Sequence, residues 1–190
     1  LIRRERWGLD AETLQAINPT LIYAAVSGYG ETGPDSNRTG FDYAAFWARS
    51  GIMALSGEPP SPPPFCRTGQ GDHATSLNLL SAILLALRVR DQTGEGQRVE
   101  VSLMQTGMWT IAADLAATAV SAEQPQRYDR EKPWNPIRNS YCTRDGHWLI
   151  LGMTQGERLW SRFVELLGAP TWATEPRYET MAGRKQHGNE

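Results

Sequence analysis

The apolar positions of this chain change their period several times, and each change predicts a new element. Residues 10–17 place Leu14 and Ile17 on one helical face, with Asp10 positioned as the N-cap and Asn18-Pro19 as the stop. The run Leu21-Ile22-Tyr23-Ala24-Ala25-Val26 is apolar without alternation, so 20–27 reads as a strand buried on both faces. Helix followed by buried strand is the signature of an α/β fold. Gly28, Gly30, Gly33 and Pro34 then form a polar loop at the strand's C-terminal end, the edge where open parallel sheets take up ligands. Residues 41–50 are aromatic-rich and predict a short helix. Five prolines between Glu58 and Pro64 impose an extended connector.

Residues 75–90 are apolar nearly all round, which predicts a long buried helix. Arg88 and Arg90 suit its last turn and Gly94 its end. Val99-Glu100-Val101 follows as a short strand, and 103–120 as a second long helix rich in Ala, Met and Leu. Residues 121–136 are polar, charged and interrupted by proline, and read as a linker. Beyond them, strand-like runs at 140–144 and 147–153 flank Asp145-Gly146, a hairpin signal, and 157–167 is an amphipathic helix closed by Gly168 and Pro170. The expected division is part of a large domain over 1–120, a linker over 121–136, and the start of a small α+β domain over 137–190. That last piece is expected to be too short to close a core. The opening Leu1-Ile2-Arg3-Arg4 has no initiator methionine and the tail has no closing signal, so a piece of a longer protein is expected.

Composition removes several classes. The 190 residues are 40% hydrophobic and 21% charged with a net charge of -2, and scattered basic residues offer no face to nucleic acid or an anionic membrane. The apolar stretch 77–87 is broken by Asn78 and Ser81 and is too short to span a bilayer. No apolar leader follows Arg3, Arg4 and Arg6. Cys66 and Cys142 match no metal spacing and fit a reducing, cytoplasmic setting.

The candidate chemistry centres on Gly69-Gln70-Gly71-Asp72-His73, a carboxylate at the mouth of a helix behind flexible backbone. Asp72 is open to two readings. An aspartate before a helix is first an N-cap, worth about 1 kcal/mol, and on spacing alone that outweighs catalysis. The roles are compatible, because a helix N-terminus favours the anion and the anion is the nucleophile. His73 suits a base or a plain polar contact. His147 and His187 are too dispersed for a triad or a metal cluster. The loop Gly28-Tyr29-Gly30-Glu31-Thr32-Gly33-Pro34 fits neither a dinucleotide fingerprint nor a P-loop, and reads as a structural turn.

The order of the motifs resembles one family, the class III CoA-transferases, also called the CaiB/BaiF or formyl-CoA transferase family. The matching pieces are Arg6-Trp7-Gly8-Leu9, Asn18-Pro19-Thr20-Leu21-Ile22-Tyr23, the loop from Ser27 to Pro34, Gly40-Phe41-Asp42-Tyr43 and Ser56-Gly57-Glu58-Pro59. They continue with Gly71-Asp72, Thr93-Gly94-Glu95-Gly96-Gln97, Val99-Glu100-Val101-Ser102-Leu103, Asn139-Ser140-Tyr141 and Asp145-Gly146-His147-Trp148.

The resemblance implies an internal fragment of a longer enzyme: part of a Rossmann-like large domain, a linker and the start of a small domain. It implies an interlocked homodimer at full length. Asp72 becomes the nucleophile, passing through an aspartyl anhydride and an aspartyl-CoA thioester. CoA contacts are implied for Arg6, Thr39, Gly40, Phe41, Asp42 and Gly71. Acyl-CoA and a small carboxylic acid are then the substrates, with no tightly bound cofactor and no metal. α-Methylacyl-CoA racemases share the fold, but their proton-transferring histidine falls in the segment that here holds Phe41, which carries no proton. The glycine-rich flap of formyl-CoA transferase has no equal in 121–137, which points away from the formyl/oxalyl pair. A CoA-binding fragment without activity is the remaining alternative.

Overall fold

Residues 2–188 are described by the computed structural model, which separates into two units, Leu1–Gly57 with Ser61–Arg127 and Glu58–Pro60 with Tyr128–Glu190. The first unit opens with α1 (Ile2–Arg6) and α2 (Ala11–Ile17). Asp10 caps α2 as the sequence predicts, accepting the Thr13 amide and the Thr13 hydroxyl at 2.9 Å each. Strand β1 (Tyr23–Ser27) then pairs in parallel with β2 (Arg98–Ser102), from Tyr23 opposite Arg98 to Ser27 opposite Ser102.

Parallel neighbours require a crossover. This one runs through a π-helix, Asp42–Arg49, then α3 (Ile52–Leu55) and α4 (Gln70–Thr93). Gly94, with φ at 77°, closes α4 by donating its amide to Arg90 at 2.7 Å. Two helices, α5 (Leu103–Thr110) and α6 (Ala112–Ser121), follow β2. The core joins the π-helix to α5: Ala45, Phe46 and Leu103 are buried, with Tyr29, Trp47, Ile52 and Ala74 against them.

The α/β reading holds, and three details differ from it. Only Ala25 of β1 is buried and Val26 is 56% exposed. The sheet has two strands among the described residues, too few to cover both faces of either. Helix α4 is long but not enclosed: Leu77, Leu80, Leu84 and Leu85 are exposed while Gly71, Thr75 and Ala86 are buried. A helix apolar all round needs neighbours on every side, and this unit supplies them on one. The expected helix over 103–120 breaks at Ile111, next to Thr110, whose hydroxyl takes the Gly107 carbonyl at 2.7 Å in competition with the backbone ladder.

Residues 122–139 form neither helix nor strand. The second unit then pairs β3 (Ser140–Cys142) antiparallel with β4 (Trp148–Ile150). The turn between them is closed by the Gly146 amide on Thr143, with Gly146 left-handed at φ 82°. The connection is therefore longer than the two-residue hairpin that Asp-Gly suggests. Helix α7 (Gly156–Leu166), two 3-10 turns and α8 (Met181–Gln186) complete the unit. Contrary to expectation from its length, it closes a small core of Ile137, Trp160, Val164, Ala173 and Tyr178. Among the described residues no helix is long and apolar enough to cross a membrane.

Candidate active site

Helix α4 starts at Gln70, and its N-cap is Gly69, left-handed at φ 84° with no side-chain cap of its own. Asp72 is therefore the third helical residue, and the N-cap reading of Asp72 is corrected. The capping is supplied from elsewhere in the chain. The carboxylate of Asp42, only 5% exposed, accepts the Gly69 amide at 2.6 Å through Oδ2 and the Gly71 amide at 3.0 Å through Oδ1. The Gln70 amide reaches the Arg67 carbonyl at 3.5 Å, and the His73 amide begins the helical ladder on Gly69 at 2.9 Å. The amide of Asp72 has no acceptor among the described residues. Asp72 thus presents an exposed carboxylate and a free N–H at the positive end of a 24-residue helix.

Gly71 is set by packing. A Cβ there would overlap the Phe46 ring and the Asp42 carboxylate, both from the π-helix. The π-helix, a form frequent at functional sites, therefore supplies both the clamp on the turn and the surface beneath it.

A cavity of about 330 Å³ opens beside Asp72, lined by Val26, Ser27, Gly28, Gly40, Thr75, Ser76, Leu79 and Leu103. Helix α4 contributes Asp72, Thr75, Ser76 and Leu79, spaced i, i+3, i+4 and i+7, which is one helical face. At Gly28 and Gly40 two segments cross at van der Waals range, where a Cβ on either glycine would strike the backbone of the other. The Gly28 carbonyl accepts Met104 at 3.0 Å, and Ser27 Oγ accepts the Gly30 amide at 3.0 Å, which fixes the loop after β1.

Of the residues that the resemblance points to, Gly40, Asp42, Gly71 and Asp72 come together here. Both carboxylate oxygens of Asp42 are engaged on the Asp72 turn, which gives that side chain a task inside the protein. Phe41 is exposed and stacks on Tyr43 with ring centres 5.8 Å apart, and Tyr43 tilts onto Phe65 at 6.1 Å. Thr39 and Arg6 are exposed and do not line the cavity. Helix α1, which carries Arg6, is tied to the loop after β1 by Glu31: Arg4 donates to it at 2.7 Å and Arg98 pairs with it as well. Burial pushes the Cys66 thiol up, and the charge of Asp42 adds to the effect. Among the described residues no cluster of His, Cys, Asp or Glu could hold a metal ion.

Two features escaped the sequence. The Asp42 clamp spans 29 residues to Gly71 and leaves no local signal. The second is the set Thr75, Ser76 and Leu79, whose one signal is the helical period counted forward from Asp72.

A model of CoA-transferase family III matches residues 2–190. The chain belongs to this family. Its relatives include the (R)-2-hydroxy-4-methylpentanoate CoA-transferase of Clostridioides difficile, 31% identical over 96% of this chain and 45% of the relative. The cinnamoyl-CoA:phenyllactate CoA-transferase of Clostridium sporogenes is 34% identical over 94% of this chain and 43% of its own. Among solved structures, a CaiB/BaiF family protein from Brucella suis superposes with a TM-score of 0.77 at 31% identity, over 98% of this chain and 48% of that one. The chain spans less than half the length of the curated relatives it matches.

Proposed function

We propose that this chain carries the nucleophile of a CoA-transferase that moves coenzyme A from an acyl-CoA donor to a carboxylic acid. The observation that carries the reading is Asp72 on the wall of a cavity, at the N-terminus of α4, with its own amide free. A carboxylate there sits at the positive end of the helix and is still reachable.

In the proposed reaction an Asp72 oxygen bonds to the thioester carbon and the carbon–sulfur bond breaks, leaving an aspartyl anhydride and CoA thiolate. The thiolate attacks the Asp72 carbonyl, releasing the donor acid and forming an aspartyl-CoA thioester. The acceptor carboxylate displaces the thiolate, giving a second anhydride. Thiolate attack on the acceptor's carbonyl then yields the new acyl-CoA and frees Asp72. The one free backbone N–H at the start of α4, that of Asp72, suits the tetrahedral oxyanions.

Arg6 suits CoA phosphates, with Thr39, Gly40, Phe41 and Gly71 as further contacts. We place the working enzyme in a longer chain, as an interlocked homodimer in a reducing compartment, where the unpaired Cys66 and Cys142 persist.

The test uses the complete natural chain that contains these residues. A panel of acyl-CoA donors and organic acids is read by mass spectrometry, with Asp72→Ala as the comparison. The variant should keep its circular dichroism spectrum and lose transfer, and hydroxylamine should trap an adduct at Asp72 alone. Transfer retained by Asp72→Ala overturns the proposal.

A further inference from the structure

We propose that Thr75 is a second catalytic residue, whose hydroxyl donates to the acyl oxygen while the acyl group is bonded to Asp72. This rests on the reading of Asp72 as the nucleophile.

Thr75 is 1% exposed, and its Oγ1 has no hydrogen-bond partner among the described residues. Buried hydroxyls are nearly always paired, so an orphan calls for a reason. Hydroxyls within a helix ordinarily bond a carbonyl one turn back. Ser81 and Thr93 of the same helix do so at 2.9 and 3.0 Å, and Ser76 takes the His73 carbonyl at 2.7 Å. Thr75 does not, although the Gly71 carbonyl stands in the same relation to it.

Its place gives the reason. Thr75 lines the cavity that Asp72 lines, one turn further along the same face of α4. The chemistry there needs a donor. Asp42 occupies the amides of Gly69 and Gly71, and the His73 amide is used in the helix, so the turn offers one free N–H, that of Asp72. A tetrahedral oxyanion is best held by more than one donor. Oγ1 is covered by protein in its present rotamer. Threonine in a helix populates two χ1 rotamers, so turning the hydroxyl to the cavity is cheap.

When the Asp72 oxygen bonds to the thioester carbon, the carbonyl π pair moves onto oxygen. The Thr75 hydroxyl donates to that oxyanion and keeps its proton. The pair returns as the carbon–sulfur bond breaks and the thiolate leaves.

The experiment compares Thr75→Val, Thr75→Ala and Thr75→Ser in the complete natural chain, with an acyl-CoA and acid pair that the wild type turns over. Thr75→Val keeps the shape and removes the hydroxyl. Its kcat should fall about tenfold or more while KM for the acyl-CoA stays within about twofold. Its melting temperature should hold or rise, because an unpaired buried hydroxyl has gone. Thr75→Ala should lose kcat to the same extent, and Thr75→Ser should stay within about threefold of wild type. A packing role for the methyl gives the reverse, an active Thr75→Val and an impaired Thr75→Ser, and overturns the assignment. Asp72→Asn separates the two readings. If it retains transfer, the nucleophile is wrong. If it is dead while Thr75→Val runs at the wild-type rate, only the role of Thr75 fails.

Discussion

The carboxylate of Asp42 holds the amide of Gly71 at 3.0 Å, one residue before Asp72 in the chain. The second oxygen holds the Gly69 amide, so the turn into α4 is pinned at two points by one buried side chain. The orientation of the candidate nucleophile is therefore set from the π-helix.

Asp42→Ala leaves both amides without an acceptor inside the protein. Each unmet group costs about 1–3 kcal/mol. Asp42→Asn keeps the shape and one accepting oxygen but turns an NH2 toward an N–H. Urea denaturation should rank wild type above Asp42→Asn and Asp42→Ala lowest. Equal midpoints would mean that the clamp carries no stability.

Gly71→Ala drives a methyl into the Phe46 ring and the Asp42 carboxylate. Overpacking of this kind costs about 1–3 kcal/mol. Gly152 has nothing within 4 Å of an added Cβ, so Gly152→Ala should lie within about 0.5 kcal/mol of wild type. Differential scanning calorimetry of the two variants side by side checks the contrast.

The two cysteines should differ toward iodoacetamide. Cys142 is exposed, whereas Cys66 is partly covered and its thiol is pushed up by burial and then by the Asp42 charge. Thiolate is the reactive form. At pH 8, peptide mapping should find Cys142 alkylated first. Asp42→Asn should speed Cys66, and an unchanged Cys66 rate would show that the charge does not reach it.

Acid should weaken the fold through Asp10 and Asp35. The Thr13 amide, then the Thr13 hydroxyl, holds the Asp10 carboxyl below the ordinary 3.8, and Arg38 and then Arg49 do the same for Asp35. A depressed folded value means that the unfolded chain takes up protons first as pH drops. Their contribution is thus complete above 3.8 and disappears as pH falls through the lower folded values. Denaturation midpoints from pH 5 to pH 2 should decline, and Asp35→Asn should flatten that decline.

Local signals carried far along this chain. The cap at Asp10, the close of α4 at Gly94 and the strand after Gly96 all follow from short-range chemistry, and each is where the sequence places it. Burial was less legible, because Val26 and Leu77 are apolar whether or not a neighbour covers them. The start of α4 was misplaced for a related reason. Aspartate before an apolar run looks like a cap, and nothing near Asp72 announces that Asp42 has taken that task. The cavity itself needed the fold, which brings Gly28 and Gly40 against each other beside α4.

That glycine crossing divides the cavity into parts with different freedom. Where Gly28 meets Gly40 the wall is bare main chain, and any side chain there separates the two segments instead of reshaping the space between them. Val26, Ser76 and Leu79 border the same space with side chains that can be exchanged. Re-sizing the pocket for a bulkier or smaller guest is therefore a matter of side chains on β1, α4 and α5, carried out over a fixed floor.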